Sequence, residues 1–264
     1  MRILMTNDDG IEADGLRFLA EALSSRADVT VVAPELNQSG FGHAITLNRP
    51  LRVREREPGW FSIDGTPTDC VNYGVHHLKE HGPPDLVVSG INHGVNLGDD
   101  VTYSGTVGAA MEGFLLGVPS LALSQELGEG VDFRHSARLG VALLDRLSNL
   151  PSLEGLFLNV NFPAQGSGSF ELVSLGHRRY HEVVQVRTDP RGGEYFWIAG
   201  QPTWRDDPGT DQDALARGVI SITPLHLGLT DASAMAPGSP LRSLDASGLE
   251  VGVRPSAGGS RGED

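Results

Sequence analysis

The sequence predicts an α/β fold built on a mostly parallel sheet. Three consecutive segments carry that expectation. Arg2–Thr6 is a short apolar run of strand length, and from Glu12 to Ser24 the residues Leu16, Leu19, Ala20 and Leu23 recur at helical spacing. Asp28–Ala33, with Val29, Val31 and Val32, is a second apolar strand that Pro34 ends. Strand, helix and strand in that order make a right-handed βαβ unit, and such units generate parallel sheets covered on both faces.

The pattern continues along the chain. A loop rich in Gly, Asn and Ser runs to about Leu47. Thr66-Pro67-Thr68-Asp69 reads as a helix start, with Thr66 as N-cap, Pro67 in the first helical position and Asp69 in the first turn. That helix is expected to reach Lys79, before Gly82-Pro83-Pro84, and Asp85–Ser89 is a third buried strand. A second Gly- and Asn-rich loop, Gly90–Tyr103, leads into Ser104–Leu116, whose small residues predict a helix packed close to the sheet. Pro119–Ser124 is a fourth strand and Phe133–Leu147 an amphipathic helix.

Strand-like segments then dominate: Leu156–Asn161, Phe170–Leu175, Glu182–Arg187, Glu194–Ala199 and Val219–Thr223, with Gly192-Gly193 as a hairpin turn. The polar stretch Gln201–Asp213 reads as a surface loop or an arm leaving the subunit. The expected organisation is a catalytic core over residues 1–130, a C-terminal α+β part with an oligomerisation arm over 131–255, and a small polar tail, 256–264, without fixed structure.

Composition narrows the function. A formal charge of −14 repels nucleic acid and anionic membrane, so neither duplex nucleic acid nor a membrane is an expected partner. It also repels a small phosphate ester, so an enzyme for such a substrate must invert the field locally, and a bound divalent cation does that. The single cysteine, Cys70, excludes an intramolecular disulfide and fits the cytoplasm. No apolar run of membrane-spanning length occurs, and the strand-like N-terminus lacks the plan of a secretory signal.

Ligands of open α/β sheets bind at the carboxyl ends of the strands. Thr6-Asn7-Asp8-Asp9-Gly10 puts two adjacent carboxylates there, an arrangement that suits a hard cation such as Mg²⁺, Mn²⁺ or Ca²⁺; one Asp capping the next helix is the plain alternative. Ser39, in Asn37-Gln38-Ser39-Gly40, offers a hydroxyl. In Ser89-Gly90-Ile91-Asn92-His93-Gly94-Val95-Asn96-Leu97-Gly98, Asn92 offers a neutral oxygen and Asn96 an amide donor. Tyr103-Ser104-Gly105-Thr106-Val107-Gly108 stands at a helix N-terminus, where free N–H groups and the helix dipole favour an anion.

These segments resemble the signatures of the SurE family of stationary-phase survival proteins. Later segments are similar too: Thr188-Asp189-Pro190-Arg191-Gly192, Tyr195-Phe196-Trp197, and Thr210-Asp211 through to Ile220-Ser221-Ile222-Thr223-Pro224-Leu225. The resemblance implies a Rossmann-like three-layer core, a smaller C-terminal part that exchanges elements between subunits, and a homodimer or homotetramer. It implies a 5′-nucleotidase that hydrolyses nucleoside 5′-monophosphates, with 3′-nucleotides and short polyphosphate as further substrates of some members. By the same resemblance one divalent cation per subunit is held by Asp8, Asp9, Ser39 and Asn92, and the phosphate by Asn96, Ser104, Gly105 and Thr106; Asp8, Asp9 and Asn96 are the expected catalytic residues. After Gly40 this chain has Phe41-Gly42-His43-Ala44 where many members carry further serines. His43 is either a surface histidine, a residue behind the metal ligands or a group acting on the leaving group.

Other readings were open to the same residues. Water is one nucleophile and an aspartyl phosphate on Asp8 the other. A dinucleotide-binding dehydrogenase is disfavoured, because Asn7-Asp8-Asp9-Gly10 replaces the glycine-rich turn and sets two carboxylates against the pyrophosphate. A phospho-receiver module needs a strand-end lysine, and the one lysine, Lys79, falls near the end of a helix.

Overall fold

The computed structural model describes residues 1–77, 82–166, 168–181, 184–198, 201–205, 207–236 and 239. In chain order the strands are β1 (Arg2–Thr6), β2 (Asp28–Pro34), β3 (Val53–Glu57), β4 (Trp60–Ile63), β5 (Leu86–His93), β6 (Ser120–Gln125) and β7 (Phe157–Phe162). They continue with β8 (Phe170–Leu172), β9 (Arg178–His181), β10 (Val184–Thr188), β11 (Glu194–Ile198), β12 (Gln201–Trp204) and β13 (Ile220–Pro224). The helices are α1 (Asp14–Leu23), α2 (Pro67–His77), α3 (Gly105–Leu115), α4 (Phe133–Leu147) and α5 (Asp211–Ala216).

Nine strands form one sheet in the order β3-β4-β2-β1-β5-β6-β7-β13-β8. The pairings from β4 through β2, β1, β5 and β6 to β7 are parallel; β3 on β4 and β13 on β7 are antiparallel. This is the α/β, Rossmann-like three-layer architecture expected from the sequence, with antiparallel strands in the C-terminal part. The central strand shows why both faces are covered. Ile3 and Met5 enter one buried cluster with Leu16, Leu19 and Leu23 of α1 and Val141 and Leu144 of α4. Leu4, between them, enters a second cluster with Cys70 and Val71 of α2 and Ala109 of α3. A strand buried on both sides must be apolar at every position, as this one is.

The small residues of α3 have the expected use. A Cβ on Gly113 would stand 2.5 Å from Ser120 Oγ and 2.8 Å from Val87 Cγ2, so glycine lets this helix lie close on β5 and β6. At the start of α2 the Thr66 hydroxyl accepts from Asp69 N at 3.1 Å, and the Asp69 carboxylate accepts from Thr66 N at 2.9 Å. This reciprocal capping fixes the helix start that the sequence indicated.

Three sequence expectations need correction. β3 and β4 were not anticipated; β3 reads Val-Arg-Glu-Arg-Glu because it is the edge of the sheet, where charged side chains reach water. β5 continues past Ser89 to His93. Gln201–Asp213 is not one open loop: β12 pairs with β9, and Asp211, at the start of α5, is fully buried. The end of the α2 segment, 78–81, and the tail 256–264 lie outside the described residues.

Two compact units are distinguished, Met1–Leu225 and His226–Asp264. In the second, the described residues include a turn in which the Asp231 carboxylate accepts from the Ser233 and Ala234 N–H groups at 2.9 and 3.1 Å. Within the first, β10 and β11 form a separate two-stranded antiparallel ribbon, and Val186, Phe196, Trp197 and Ile198 on it are each more than 60% exposed.

Candidate functional site

The loops after β1, β2 and β5 and the N-terminus of α3 meet at one edge of the sheet. Asn7 shapes the first loop: its amide donates to Gly10 O at 2.8 Å and accepts from Gly10 N at 3.3 Å. Gly10 has a φ of +105°, which only glycine adopts readily. The turn leaves Asp8 on the end of β1 with 3% of its surface exposed. Its carbonyl accepts from Gln38 N at 2.7 Å, which ties the loop after β2 to β1.

The side chain of Asp8 faces α3. Thr106 Oγ1 donates to Asp8 Oδ1, and a Cβ on Gly105 would come within 2.8 Å of Asp8 Cβ, so this helical position has to be glycine. Burial pushes the Asp8 carboxyl from an ordinary 3.8 up to about 6; the Thr106 hydrogen bond opposes that shift and the neighbouring Asp9 charge adds to it. Asp9 is more exposed. Its carboxylate accepts from His93 N at 2.9 Å and from Asn37 Nδ2 at 3.5 Å.

The remaining polar groups converge from other elements. Asn92 Nδ2 donates to Gly94 O at 2.9 Å, and among the described residues its Oδ1 takes no hydrogen bond. Ser39 is exposed, with its backbone N held by Asn37 Oδ1 at 2.8 Å in a local turn. Asn96 is fixed by four bonds. Its amide donates to Ser124 Oγ at 2.7 Å, its N donates to Asn161 Oδ1 at 2.8 Å, and its carbonyl accepts from Asn159 at 2.7 Å and Asn161 at 3.1 Å. Ser104 is the N-cap of α3, its Oγ accepting from Val107 N at 3.1 Å, which leaves the hydroxyl hydrogen to donate.

Asp8, Ser39, Asn92, Asn96 and Ser104 line a single cavity of about 280 Å³, together with Asp100 and Tyr103. A larger cavity, about 400 Å³, opens at the opposite ends of β1 and β2 beside Arg2, Asp28 and Gly59. Size favours the second, but the hydroxyl, amide and carboxylate groups gather around the first, so chemistry decides between them. Three expected site residues stand outside the lining: Thr106, Asp9 and Gly105, which packs against Asp8. The Thr106 hydroxyl is engaged by Asp8 and the residue is fully buried, so it reaches the cavity through Asp8. Asp9 stands beside the lining rather than in it.

His43 is exposed, as a surface histidine would be, but its ring is engaged. Its Nε2 lies 2.5 Å from Glu112 Oε2, and Asn72 Nδ2 donates to Glu112 Oε1 at 2.7 Å. The pair holds the loop bearing Ser39 against α3, where Gly42 N also donates to Tyr103 O at 3.1 Å.

Sequence reasoning missed Asp100 and the groups behind it. Asp100 forms an ion pair with Arg178 of β9. Asp211 accepts from Gly98 N and Gly176 N, each at 2.8 Å, and so pins the 3₁₀ turn Gly98–Thr102 that delivers Asp100 and Tyr103 to the cavity. No local sequence signal joins residues so far apart in the chain.

Comparison with known proteins gives one consistent result. Residues 3–182 match the family model described as "Survival protein SurE". The chain is 48% identical over 263 residues to a protein of Geobacter sulfurreducens named 5′-nucleotidase SurE, covering 98% of this chain and 97% of that one. It is 46% identical over 237 residues to 5′-nucleotidase SurE 1 of Thermus thermophilus, covering 87% and 93%. The crystal structure of the SurE protein from Aquifex aeolicus superposes with a TM-score of 0.79 at 42% identity, covering 89% of this chain and 97% of that one.

Proposed function

The chain belongs to the SurE family, and we propose that it is a metal-dependent 5′-nucleotidase acting at the cavity between Asp8 and the N-terminus of α3. The observation that carries this reading is the convergence of Asp8, Ser39, Asn92, Asn96 and Ser104 on one cavity. The relatives that share nearly the whole chain are named 5′-nucleotidases, which supports the same activity here.

The donor set fits a hard divalent cation. Among the described residues no cluster of three or more His, Cys, Asp or Glu side chains forms a metal site. The candidate site instead combines two carboxylates, Asp8 and Asp9, with the neutral oxygens of Ser39 and Asn92, and all-oxygen sets of this kind suit Mg²⁺ or Mn²⁺. A desolvated Asp8 with a second carboxylate beside it is the observation that favours a counter-cation. When bound, such an ion supplies Lewis acidity toward a phosphoryl oxygen and lowers the pKa of a coordinated water.

The rest is work for the chain's own groups. The positive end of the α3 dipole and the Ser104 hydroxyl hold phosphoryl oxygens as their charge shifts in the transition state. Asn96, fixed by Ser124, Asn159 and Asn161, keeps an amide hydrogen for another oxygen. Asp8 accepts the proton of the attacking water. A second reading, in which Asp8 itself attacks phosphorus, draws on the position of its carboxylate in the cavity wall. Trapping of a phosphoenzyme separates the two.

Tyr103, 69% exposed at the mouth of the cavity, offers a ring on which a nucleobase can stack. The exposed apolar ribbon of β10 and β11 is covered, in this reading, by a second copy of the chain in a homodimer or homotetramer. Cytoplasmic placement agrees with the lone buried Cys70 and with the finding that no helix among the described residues is long and apolar enough to cross a membrane.

The test is phosphate release from a panel of nucleoside 5′-monophosphates, 3′-nucleotides, tripolyphosphate and non-nucleotide monoesters, with and without Mg²⁺ or Mn²⁺. The reading expects hydrolysis of 5′-monophosphates that a chelator abolishes. Equal turnover in chelator, or none of any ester with either metal, would refute it.

A further inference from the structure

Among the described residues the cavity lining holds two carboxylates, Asp8 and Asp100, and no lysine or arginine. In a chain of net charge −14 that is a poor seat for a phosphate dianion. The cation proposed at Asp8 and Asp9 answers for one of the two. Asp100 is outside that donor set and needs a positive charge of its own.

Arg178 supplies it. The guanidinium of Arg178 pairs with Asp100 Oδ2, and both side chains are largely withdrawn from water, at 17% and 15% exposure. The Arg178 side chain is held from the other side by Trp204 of β12, 4.9 Å from guanidinium carbon to ring centroid. Its backbone N donates to Asp99 Oδ2 at 3.4 Å. On the cavity side, Asp211 fixes Gly98, and Tyr103 N donates to Asp100 O at 2.9 Å, so the turn presenting Asp100 is held at both ends. Asp99, the next acid in the chain, is 64% exposed and screened by solvent. The partly buried pair is screened much less, so the charge on Arg178 matters where the charge on Asp99 does not.

We propose that Arg178, at the root of the β9–β12 ribbon, serves phosphate binding by neutralising Asp100 in the cavity wall. It acts through Asp100 and is a positioning and charge-balancing residue, not a catalytic one. The inference rests on the phosphatase reading of this cavity. It also means that β9, through Arg178, backs the Asp100 side of the cavity without lining it.

The experiment compares the full chain with Arg178→Ala, Arg178→Lys, Asp100→Asn and the Arg178→Ala/Asp100→Asn pair. Two quantities are read in Mg²⁺: KM for a nucleoside 5′-monophosphate, and the affinity for inorganic phosphate by calorimetry. Arg178→Ala is expected to raise KM and weaken phosphate binding about tenfold, and Arg178→Lys to stay within about threefold of the parent, a tenfold change being about 1.4 kcal/mol. Removing the stranded carboxylate as well, in the double variant, is expected to recover most of the loss. A purely structural role for Arg178 gives the opposite ordering, with the double variant no better than Arg178→Ala, and that result would overturn the proposal. So would an Arg178→Ala protein that binds phosphate like the parent. If the parent itself neither binds phosphate nor hydrolyses the ester, the phosphatase reading fails and this inference falls with it.

Discussion

Replacing Asp8 by asparagine should stabilise the metal-free protein while abolishing its activity. The sign and size follow from the carboxyl's environment. Burial and the Asp9 charge raise it from 3.8 to about 6 against the pull of the Thr106 hydroxyl. The folded chain therefore holds this proton more tightly than the unfolded chain does. The penalty for ionised Asp8 is absent below about pH 4, grows as the pH rises from about 4 to 6, and is constant above that range. A rise of roughly two units corresponds to about 3 kcal/mol at 1.36 kcal/mol per unit. Asparagine keeps the shape and an acceptor for Thr106 without the charge. Urea unfolding in chelator should then show Asp8→Asn more stable than the parent by about 3 kcal/mol at pH 8, and by under about 1 kcal/mol at pH 4. Adding Mg²⁺ or Mn²⁺ at about a thousand times its Kd should reverse the order, since the ion then stabilises only the chain that binds it, by about 4.1 kcal/mol. A metal-free Asp8→Asn protein less stable than the parent at pH 8 would refute the reasoning.

Other expectations follow from single contacts. Thr106→Val should lower turnover and cation affinity in step, because the hydroxyl acts through Asp8; a turnover loss with unchanged metal titration would contradict that. Asp211→Ala strands the buried N–H groups of Gly98 and Gly176 and should cost on the order of 2–6 kcal/mol in urea unfolding, at about 1–3 kcal/mol per unsatisfied group; a cost within about 0.5 kcal/mol would exclude the pinning role. Trp197→Asp, on the exposed ribbon, should shift the protein to monomer in sedimentation while leaving the far-UV spectrum intact; an unchanged sedimentation coefficient would exclude the ribbon as the subunit contact.

The parts of the fold legible in the sequence are those where one local requirement dominates. β1 could be read because a strand covered on both faces must be apolar throughout, and Ile3, Leu4 and Met5 go alternately to the two clusters. The start of α2 was legible because Thr66 and Asp69 satisfy each other within one turn. β3 was not, because an edge strand carries charges that mimic a loop. At the site, adjacent carboxylates and a capped helix N-terminus announced themselves locally. The direction of the Thr106 hydroxyl did not, since it depends on how closely Gly105 lets α3 approach Asp8. Arg178 was invisible for a different reason, and Asp211 was legible only as part of a family-like segment, without its partners. Each meets its partner across tens of residues, and nothing near either in sequence names that partner.

The most direct check is a crystal structure of the protein soaked in Mn²⁺ and a nucleoside 5′-monophosphate, read by anomalous scattering. The expected map has one manganese bounded by Asp8, Asp9, Ser39 and Asn92, with the phosphate against Asn96, Ser104 and the N-terminus of α3. Metal and phosphate bound together somewhere else, with these side chains contacting neither, would contradict the whole account.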